Sequence, residues 1–306
     1  MKCEHEIKEI TIIGGGPAGI TAAIYAARMK RCVLMLYEVL AGQASLTGDI
    51  ENYTGFRMIS GADFTNTLKE HLDDYDLEPM KEKALEVTKS NGLFEVRTEK
   101  GVYKSKAVII ASGARHKALG VPGEMEFIGR GVAYCVICDA PFFKNKDVAV
   151  VGGGNSALTT ALELTKYAKK IYLISKNETL QGEQTLIDSI KLSEQIEFIC
   201  CANIRQIIGD KLVNAVELET KGEIRIIEVR GVFIEIGYIP NSEIIELKKN
   251  ENHEIIVNER NETSIEGVFA AGDVTNISIK QIIVAAGEGA KAALSASEYI
   301  SKMDVR

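Results

Sequence analysis

The chain has 306 residues, a length that suits two domains at about 150 residues each. Charged residues make up 26% and the hydrophobic set 46%, which excludes a disordered or fibrous chain. With 36 Lys and Arg against 43 Asp and Glu the formal charge is −7, so no basic face is advertised for nucleic acid or for an anionic membrane.

The opening residues, Met1-Lys2-Cys3-Glu4-His5-Glu6, are too acidic for a signal-peptide start, and a cytoplasmic protein is expected. Residues Ile10 to Ala27 carry no charge, yet they hold Gly14, Gly15, Gly16, Pro17 and Gly19, which reads as strand, turn and helix instead of a membrane span. The helix continues to Met29 and an apolar strand follows at Cys32 to Leu36. A polar loop covers Ala41 to Gly61, a helical stretch Ala62 to Leu77, an alternating pattern Leu85 to Val102, and a buried strand Val108 to Gly113.

At an offset of 138 residues the opening pattern recurs. Val150-Val151-Gly152-Gly153-Gly154-Asn155-Ser156-Ala157 lies over Ile12-Ile13-Gly14-Gly15-Gly16-Pro17-Ala18-Gly19, followed by an Ala-rich helix (Leu158 to Ala168) and a strand (Ile171 to Ile174). That is βαβ twice. Further strands are expected near Glu197 to Cys200, Val213 to Thr220 and Val232 to Ile236, then Gly237 to Asn241, a strand at Gly267 to Asp273 and a helix from Gln281 to Ile300. The expected fold class is α/β, with two Rossmann-like dinucleotide-binding domains, the second inserted into the first. Residues 1–117 and 245–306 are expected to form the first, discontinuous domain and residues 118–244 the second, which carries Cys135 and Cys138.

Gly14, Gly16 and Gly19 fit G-x-G-x-x-G between a strand and a helix. The first glycine permits the turn, the second lets a pyrophosphate approach the backbone, and the third lets the helix pack closely. The helix start offers free N–H groups to the phosphates. Glu38 is a candidate for the ribose hydroxyls. Gly152, Gly154 and Ala157 fit the variant ending in alanine. Two such loops point to a resident flavin and an exchanging nicotinamide, or to a second loop that kept its fold and lost its ligand.

Cys135-Val136-Ile137-Cys138 is a redox dithiol or half of a zinc site. His5, His71, His116 and His253 are scattered singly and no second Cys-x-x-Cys exists, so no metal is expected and redox chemistry is. Asp139 is either an acid-base group for the thiols or a helix cap. Cys3, Cys32, Cys200 and Cys201 read as packing or incidental residues.

On these residues the chain resembles the low-molecular-weight thioredoxin reductases. The run Cys135 to Phe143, the loop Val148 to Asn155, and the order of parts from Gly14 through Gly113 and the dithiol to Gly272-Asp273 carry the resemblance over almost the whole length. It implies FAD, held by the Gly14 to Gly19 loop with Pro17 and Ala18, by Gln43, by Asn52, by Asp273 at the ribityl chain and by Gln281 and Ile282 near the ring. It also implies that Cys138 faces the flavin, Cys135 attacks the disulfide of a thioredoxin or glutaredoxin-like protein, and Asp139 moves the proton. The family is a homodimer whose domains rotate against each other.

One place departs from the family. Where NADPH-dependent members carry His-Arg-Arg and a further Arg after the second unit's second strand, this chain has Ser175, Lys176, Asn177 and Gln181. One flexible lysine is a poor substitute for paired guanidinium groups on a 2′-phosphate. Lys176 with Gly152, Gly154, Asn155, Ser156 and Ala157 is left as a pyridine-nucleotide site, and the donor stays open among NADPH, NADH and ferredoxin. A flavin-dependent dithiol oxidase of the same fold is the alternative enzyme, and a flavin-binding redox sensor the alternative outside catalysis.

Overall fold

The uncharged run at residues 10–27 resolves into two elements. Strand β1 (Ile7–Ile13) is buried from Ile10 onward, as a strand covered on both faces must be. Helix α1 (Pro17–Arg28) starts with proline in its first turn and Gly16 as its N-cap. The computed structural model of the chain describes residues 6–46, 49–75 and 77–304. Among the described residues no helix is long and apolar enough to cross a membrane.

Strand β2 (Val33–Tyr37) pairs with β1 in parallel. Helix α2 (Gly61–Asp73) begins where Ser60 Oγ accepts the Asp63 N–H, and it stops short of the expected Leu77. Pro79 lies in the next strand, β3 (Glu78–Lys81), and proline disfavours helix at the residues before it. The alternating stretch is two strands, β4 (Ala84–Ser90) and β5 (Leu93–Thr98). They join at Asn91-Gly92, both at positive φ (51° and 78°), as a tight Asn-Gly hairpin requires. Strand β6 (Val102–Ile110) is longer than its apolar core suggested, because Val102 to Ser105 pair with β5 while Lys104 to Ile110 run beside β1. The short strand β7 (Ala114–His116) follows.

Next come β8 (Val132–Ala133), the single turn α3 (Val136–Asp139), β9 (Asp147–Val151), α4 (Asn155–Leu164) and β10 (Lys170–Ile174). Helix α4 ends at Leu164 and not at Ala168, since the chain turns back through Thr165 to Tyr167. Helix α5 (Gln184–Leu192) has no counterpart among the expected elements. Strands β11 (Ile196–Ile199), β12 (Ala202–Gly209), β13 (Val213–Thr220), β14 (Glu223–Glu228) and β15 (Gly231–Ile234) follow, then β16 (Tyr238–Pro240), β17 (Val268–Ala270) and the closing helix α6 (Ile282–Asp304).

The chain divides into two compact units, Met1–Arg115 with Ile239–Arg306, and His116–Tyr238. The first holds a seven-stranded sheet in the order β3-β2-β1-β6-β5-β4, with β17 beside β6. The second holds a parallel five-stranded sheet, β8-β15-β9-β10-β11, and an antiparallel one, β12-β13-β14. The segments where the chain leaves the first unit and returns, β7 and β16, pair with each other.

In the first unit α1 and α6 cross at Gly289, where an added Cβ would lie 2.0 Å from the Ala18 carbonyl oxygen. Gly287, two residues earlier, has nothing within 4 Å of that position. Gly289→Ala is expected to lower the unfolding free energy by about 1–3 kcal/mol, because backbone must move. Gly287→Ala is expected to be neutral or to stabilise by up to about 1 kcal/mol, because it removes a flexible residue from a helix interior. Urea unfolding of the two variants side by side checks both.

Candidate functional site

The three glycines of the first loop do three different things. A Cβ on Gly14 would lie 2.0 Å from the Ala111 carbonyl oxygen, and one on Gly19 would lie 1.9 Å from the Gly14 carbonyl oxygen, so neither position has room for a side chain. Gly14 also sits at φ +127°. Gly16, by contrast, has nothing within 4 Å of its missing Cβ, and α1 carries no side-chain cap and no acidic residue in its first turn. An open glycine face before an uncapped helix start fits a dinucleotide pyrophosphate, which would accept the free N–H groups of Ala18 and Gly19.

Around this loop the structure brings several expected flavin residues together. Asn52 Nδ2 donates to Gln281 Oε1 at 3.2 Å, joining two of them directly, and Ile282 opens α6 beside Gln281. A Cβ on Gly272 would lie 3.0 Å from the Ala18 Cβ, which sets Asp273 next to the loop. Gly113, at φ +68°, accepts the Asn241 N–H at 2.9 Å. Glu38 follows β2 directly and is exposed, paired with Lys83 Nζ at 3.2 Å, while Gln43 is exposed in the helical turn Gly42–Leu46.

Burial pushes the Asp273 carboxyl up, and the Lys280 ammonium pulls it back down. Lys280 and its partner Glu254 escaped the sequence reading. The ammonium donates to the Thr275 and Asp273 carbonyl oxygens at 2.6 and 3.2 Å and pairs with Glu254 at 2.8 Å, with both side chains largely buried. It thereby fixes the turn that presents Asp273.

The second loop repeats the pattern with differences. A Cβ on Gly152 would lie 2.3 Å from the Glu235 carbonyl oxygen, and one on Gly154 would meet only the Gln181 carbonyl oxygen, at 3.8 Å. Helix α4 is also uncapped by any side chain. Asn155 Oδ1 accepts the Glu183 N–H at 2.7 Å. Ser156 Oγ donates to Glu235 Oε2 and Thr160 Oγ1 to Glu235 Oε1, the latter at 3.0 Å. Burial pushes the Glu235 carboxyl pKa up while the two hydroxyls hold it down.

After β10, Ser175 is 3% exposed and turned inward, its hydroxyl accepting the Asn177 N–H at 3.2 Å. The Gln181 N–H is bonded to the Gly153 carbonyl at 2.7 Å. Of the four positions that hold the 2′-phosphate in NADPH-dependent relatives, only Lys176 offers an exposed cation. Thr160 and Glu235 were not singled out by sequence, since nothing in the loop motif points to them.

Cys135 and Cys138 form a disulfide across α3, with their Cα atoms 5.3 Å apart and both residues half-buried. Ile137, between them, is 62% exposed. Asp139 makes no side-chain capping bond, so the cap role is not realised. Burial pushes its carboxyl up to about 6, close enough to neutrality for proton exchange with a thiol.

The residue before Cys135 belongs to a cluster that sequence reasoning missed. The Tyr134 hydroxyl donates to Glu124 Oε1 at 2.8 Å, and the fully buried Glu124 carboxylate also accepts the Leu119 and Gly120 N–H groups. The His116 ring lies 4.6 Å from that of Tyr134 and 4.5 Å from that of Tyr238. Burial pushes His116 down to about 4, so it is a neutral ring in the stack at pH 7.

Among the described residues no group of three His, Cys, Asp or Glu side chains is placed to hold a metal. Cys200 and Cys201 are free and half-buried. Cys32 corrects an expectation: it is disulfide-bonded and not a packing thiol, a pairing that depends on proximity in space and leaves no mark in residue spacing. Cys3 and His5 lie outside the described residues.

A Rossmann-like unit with a second such unit inserted in it, the second bearing a Cys-x-x-Cys disulfide, is the architecture of a disulfide oxidoreductase. The model of the pyridine nucleotide-disulphide oxidoreductase family matches residues 8–289, and the chain belongs to that family. It is 38% identical over 297 residues to NADH dehydrogenase of Ferdinandcohnia aciditolerans, a match covering 95% of this chain and 57% of that protein. Over 298 residues it is 37% identical to a component of the alkyl hydroperoxide reductase of Staphylococcus epidermidis, covering 95% of this chain and 59% of that one. The chain thus spans a little under three fifths of the length of these curated relatives.

Among solved structures, the thioredoxin reductase of Streptococcus pyogenes matches with a TM-score of 0.91 and 35% identity, covering 97% of this chain and 99% of that one. The resemblance read from the sequence therefore holds for fold and family, and the family implies FAD.

Two outcomes are expected. Gly16→Val fills the open face of the first loop, so the variant should fold and purify without the yellow flavin expected in the parent. For Asp139 the sign follows from its raised pKa: between about pH 4 and about 6 the folded state binds more protons than the unfolded one, so stability falls as pH rises through that window. Asp139→Asn should remove this loss, making the disulfide form more stable than the parent above about pH 6, by up to about 3 kcal/mol, with the difference vanishing toward pH 4. Thermal melts across that range measure it.

Proposed function

We propose that the chain is a flavin-dependent disulfide reductase of the thioredoxin-reductase type. It would pass two electrons from a donor, through FAD on the first unit and the Cys135/Cys138 pair on the second, to the disulfide of a thioredoxin or small glutaredoxin-like protein. The observation that carries this reading is the disulfide itself, closed across one helical turn beside a carboxyl held near neutrality. FAD, when bound, supplies the two-electron carrier; the remaining chemistry belongs to the chain.

In the reduced state the Cys135 thiolate attacks one sulfur of the partner's disulfide, releasing the other as a thiolate. Cys138 then displaces the partner's remaining sulfur and re-forms the Cys135–Cys138 bond. The balance is one partner disulfide reduced to two thiols and one dithiol oxidised, with Asp139 holding and returning the proton at the Cys138 sulfur. Cys135 is the N-cap of α3, whose free N–H groups favour its thiolate form.

On the donor side, the buried Ser175 and the single exposed Lys176 favour a donor without a 2′-phosphate, NADH or a reduced ferredoxin, over NADPH. The reading includes the family's homodimer and a reducing cytoplasmic setting, where dithiol partners are found.

The test is anaerobic. NADPH, NADH and reduced ferredoxin are each added to the yellow protein with and without an oxidised thioredoxin, and bleaching of the flavin and appearance of partner thiols are followed. Turnover with none of them would end the reductase reading, and oxygen uptake driven by a small dithiol with no response to any donor would replace it with the dithiol oxidase. Cys138→Ser should leave flavin bleaching by the true donor intact while lowering partner reduction at least about a hundredfold.

A further inference from the structure

The internal repeat lets the two dinucleotide crevices be compared residue by residue, and one cluster in the second has no counterpart in the first. At the offset that aligns the loops, Ser156 and Thr160 of α4 stand where α1 has Ala18 and Ala22. The strand flanking each loop supplies a third pair. The Ala111 N–H donates to the Ile13 carbonyl at 2.7 Å and the Glu235 N–H to the Val151 carbonyl at 2.8 Å. The first glycine of each loop abuts the carbonyl of the same residue, Ala111 in one unit and Glu235 in the other.

The first crevice is therefore edged by three alanines, and the second by a carboxylate that receives one hydroxyl donor on each oxygen. This is a built arrangement: Thr160 is 3% exposed and Glu235 9% exposed. It lies where β15 and β10 flank β9 on opposite sides, the switch point at which open α/β sheets receive their ligands.

We propose that Glu235, held by Ser156 and Thr160, is a specificity-determining residue that turns the second crevice against pyridine dinucleotides. Both groups bonded to the carboxylate are neutral hydroxyls, so they orient its charge without cancelling it. Ser156 belongs to the first turn of α4, whose N–H groups the pyrophosphate would use. The carboxylate thus shares the positive end of that helix with any incoming diphosphate, in a poorly solvated crevice where like charges repel more strongly than in water. The inward-turned Ser175 and the lone Lys176 act in the same direction.

This deepens the donor side of the proposed function and rests on that reading only in naming the ligand. The chain keeps the fold of the second nucleotide unit as a carrier for the dithiol, and its flavin is reduced by a carrier that is not a dinucleotide.

The experiment is equilibrium binding, by calorimetry, of NADH, ADP-ribose and adenosine to the oxidised, FAD-loaded protein at about pH 8, well above the ordinary carboxyl range. Glu235→Gln keeps the size of the side chain and removes its charge. It should tighten NADH and ADP-ribose at least about tenfold relative to the parent and leave adenosine, which carries no phosphate, unchanged. Glu235→Ala reproduces the residue of the first crevice and should follow the Gln variant, and flavin content and melting temperature verify that both fold.

Parent protein that binds NADH as tightly as Glu235→Gln, or more tightly, would overturn the proposal and make Glu235 a group that holds the dinucleotide. An equal gain for adenosine would overturn it as well, by showing an effect of shape and not of charge. No turnover is involved, so this result stands or falls independently of whether the dithiol reduces a thioredoxin-like partner.

Discussion

Every property of this chain that involves a nucleotide depends on one contact between backbone atoms. In each unit the carbonyl of the neighbouring strand comes within 2.0 to 2.3 Å of where a Cβ would stand on the first loop glycine. Only a residue with no side chain allows that approach, and only with that approach does the chain turn sharply enough to aim a helix start at the crevice. The strands around each loop are apolar and buried because they form the centre of a parallel sheet. The ligand site is therefore a by-product of how the sheet has to end.

From the same scaffold the two units draw opposite local chemistry. The first surrounds its loop with alanines and places Asp273, steadied by Lys280, at one side. The second keeps the loop geometry but crowds it with polar groups that satisfy one another: Asn155 with Glu183, and Ser156 and Thr160 with Glu235. Near the disulfide the pattern is again one of restrained charge. His116 is a neutral ring packed against two tyrosines, burial pushes the Asp139 carboxyl up to about 6, and the Glu124 carboxylate accepts backbone N–H groups and one hydroxyl.

What could be read beforehand was whatever the chain writes locally. The two βαβ units, the glycine duties and the Cys-x-x-Cys dithiol all follow from short motifs in strand-to-helix context, and the Asn91-Gly92 turn was legible as a hairpin although only the alternation around it was used. The misses share a different cause. Glu235 is reached from Ser156 across the sheet, Lys280 from Glu254 across a loop, and the partner of Cys32 through space alone. Even the repeat did not expose Glu235, because the strand that carries it stands at a different spacing from its loop than Ala111 does from the first.

The pairing of β7 with β16 has a consequence for how such a chain could arise. Because the inserted unit begins and ends on adjacent strands, its two ends lie side by side, and joining it to a host demands only that the host offer a single gap between neighbouring residues. A lobe built this way is a cassette. It can be exchanged, shortened or duplicated without unravelling the sheet that received it, which is how one flavin-type body can come to bear sulfur chemistry that its own fold does not contain.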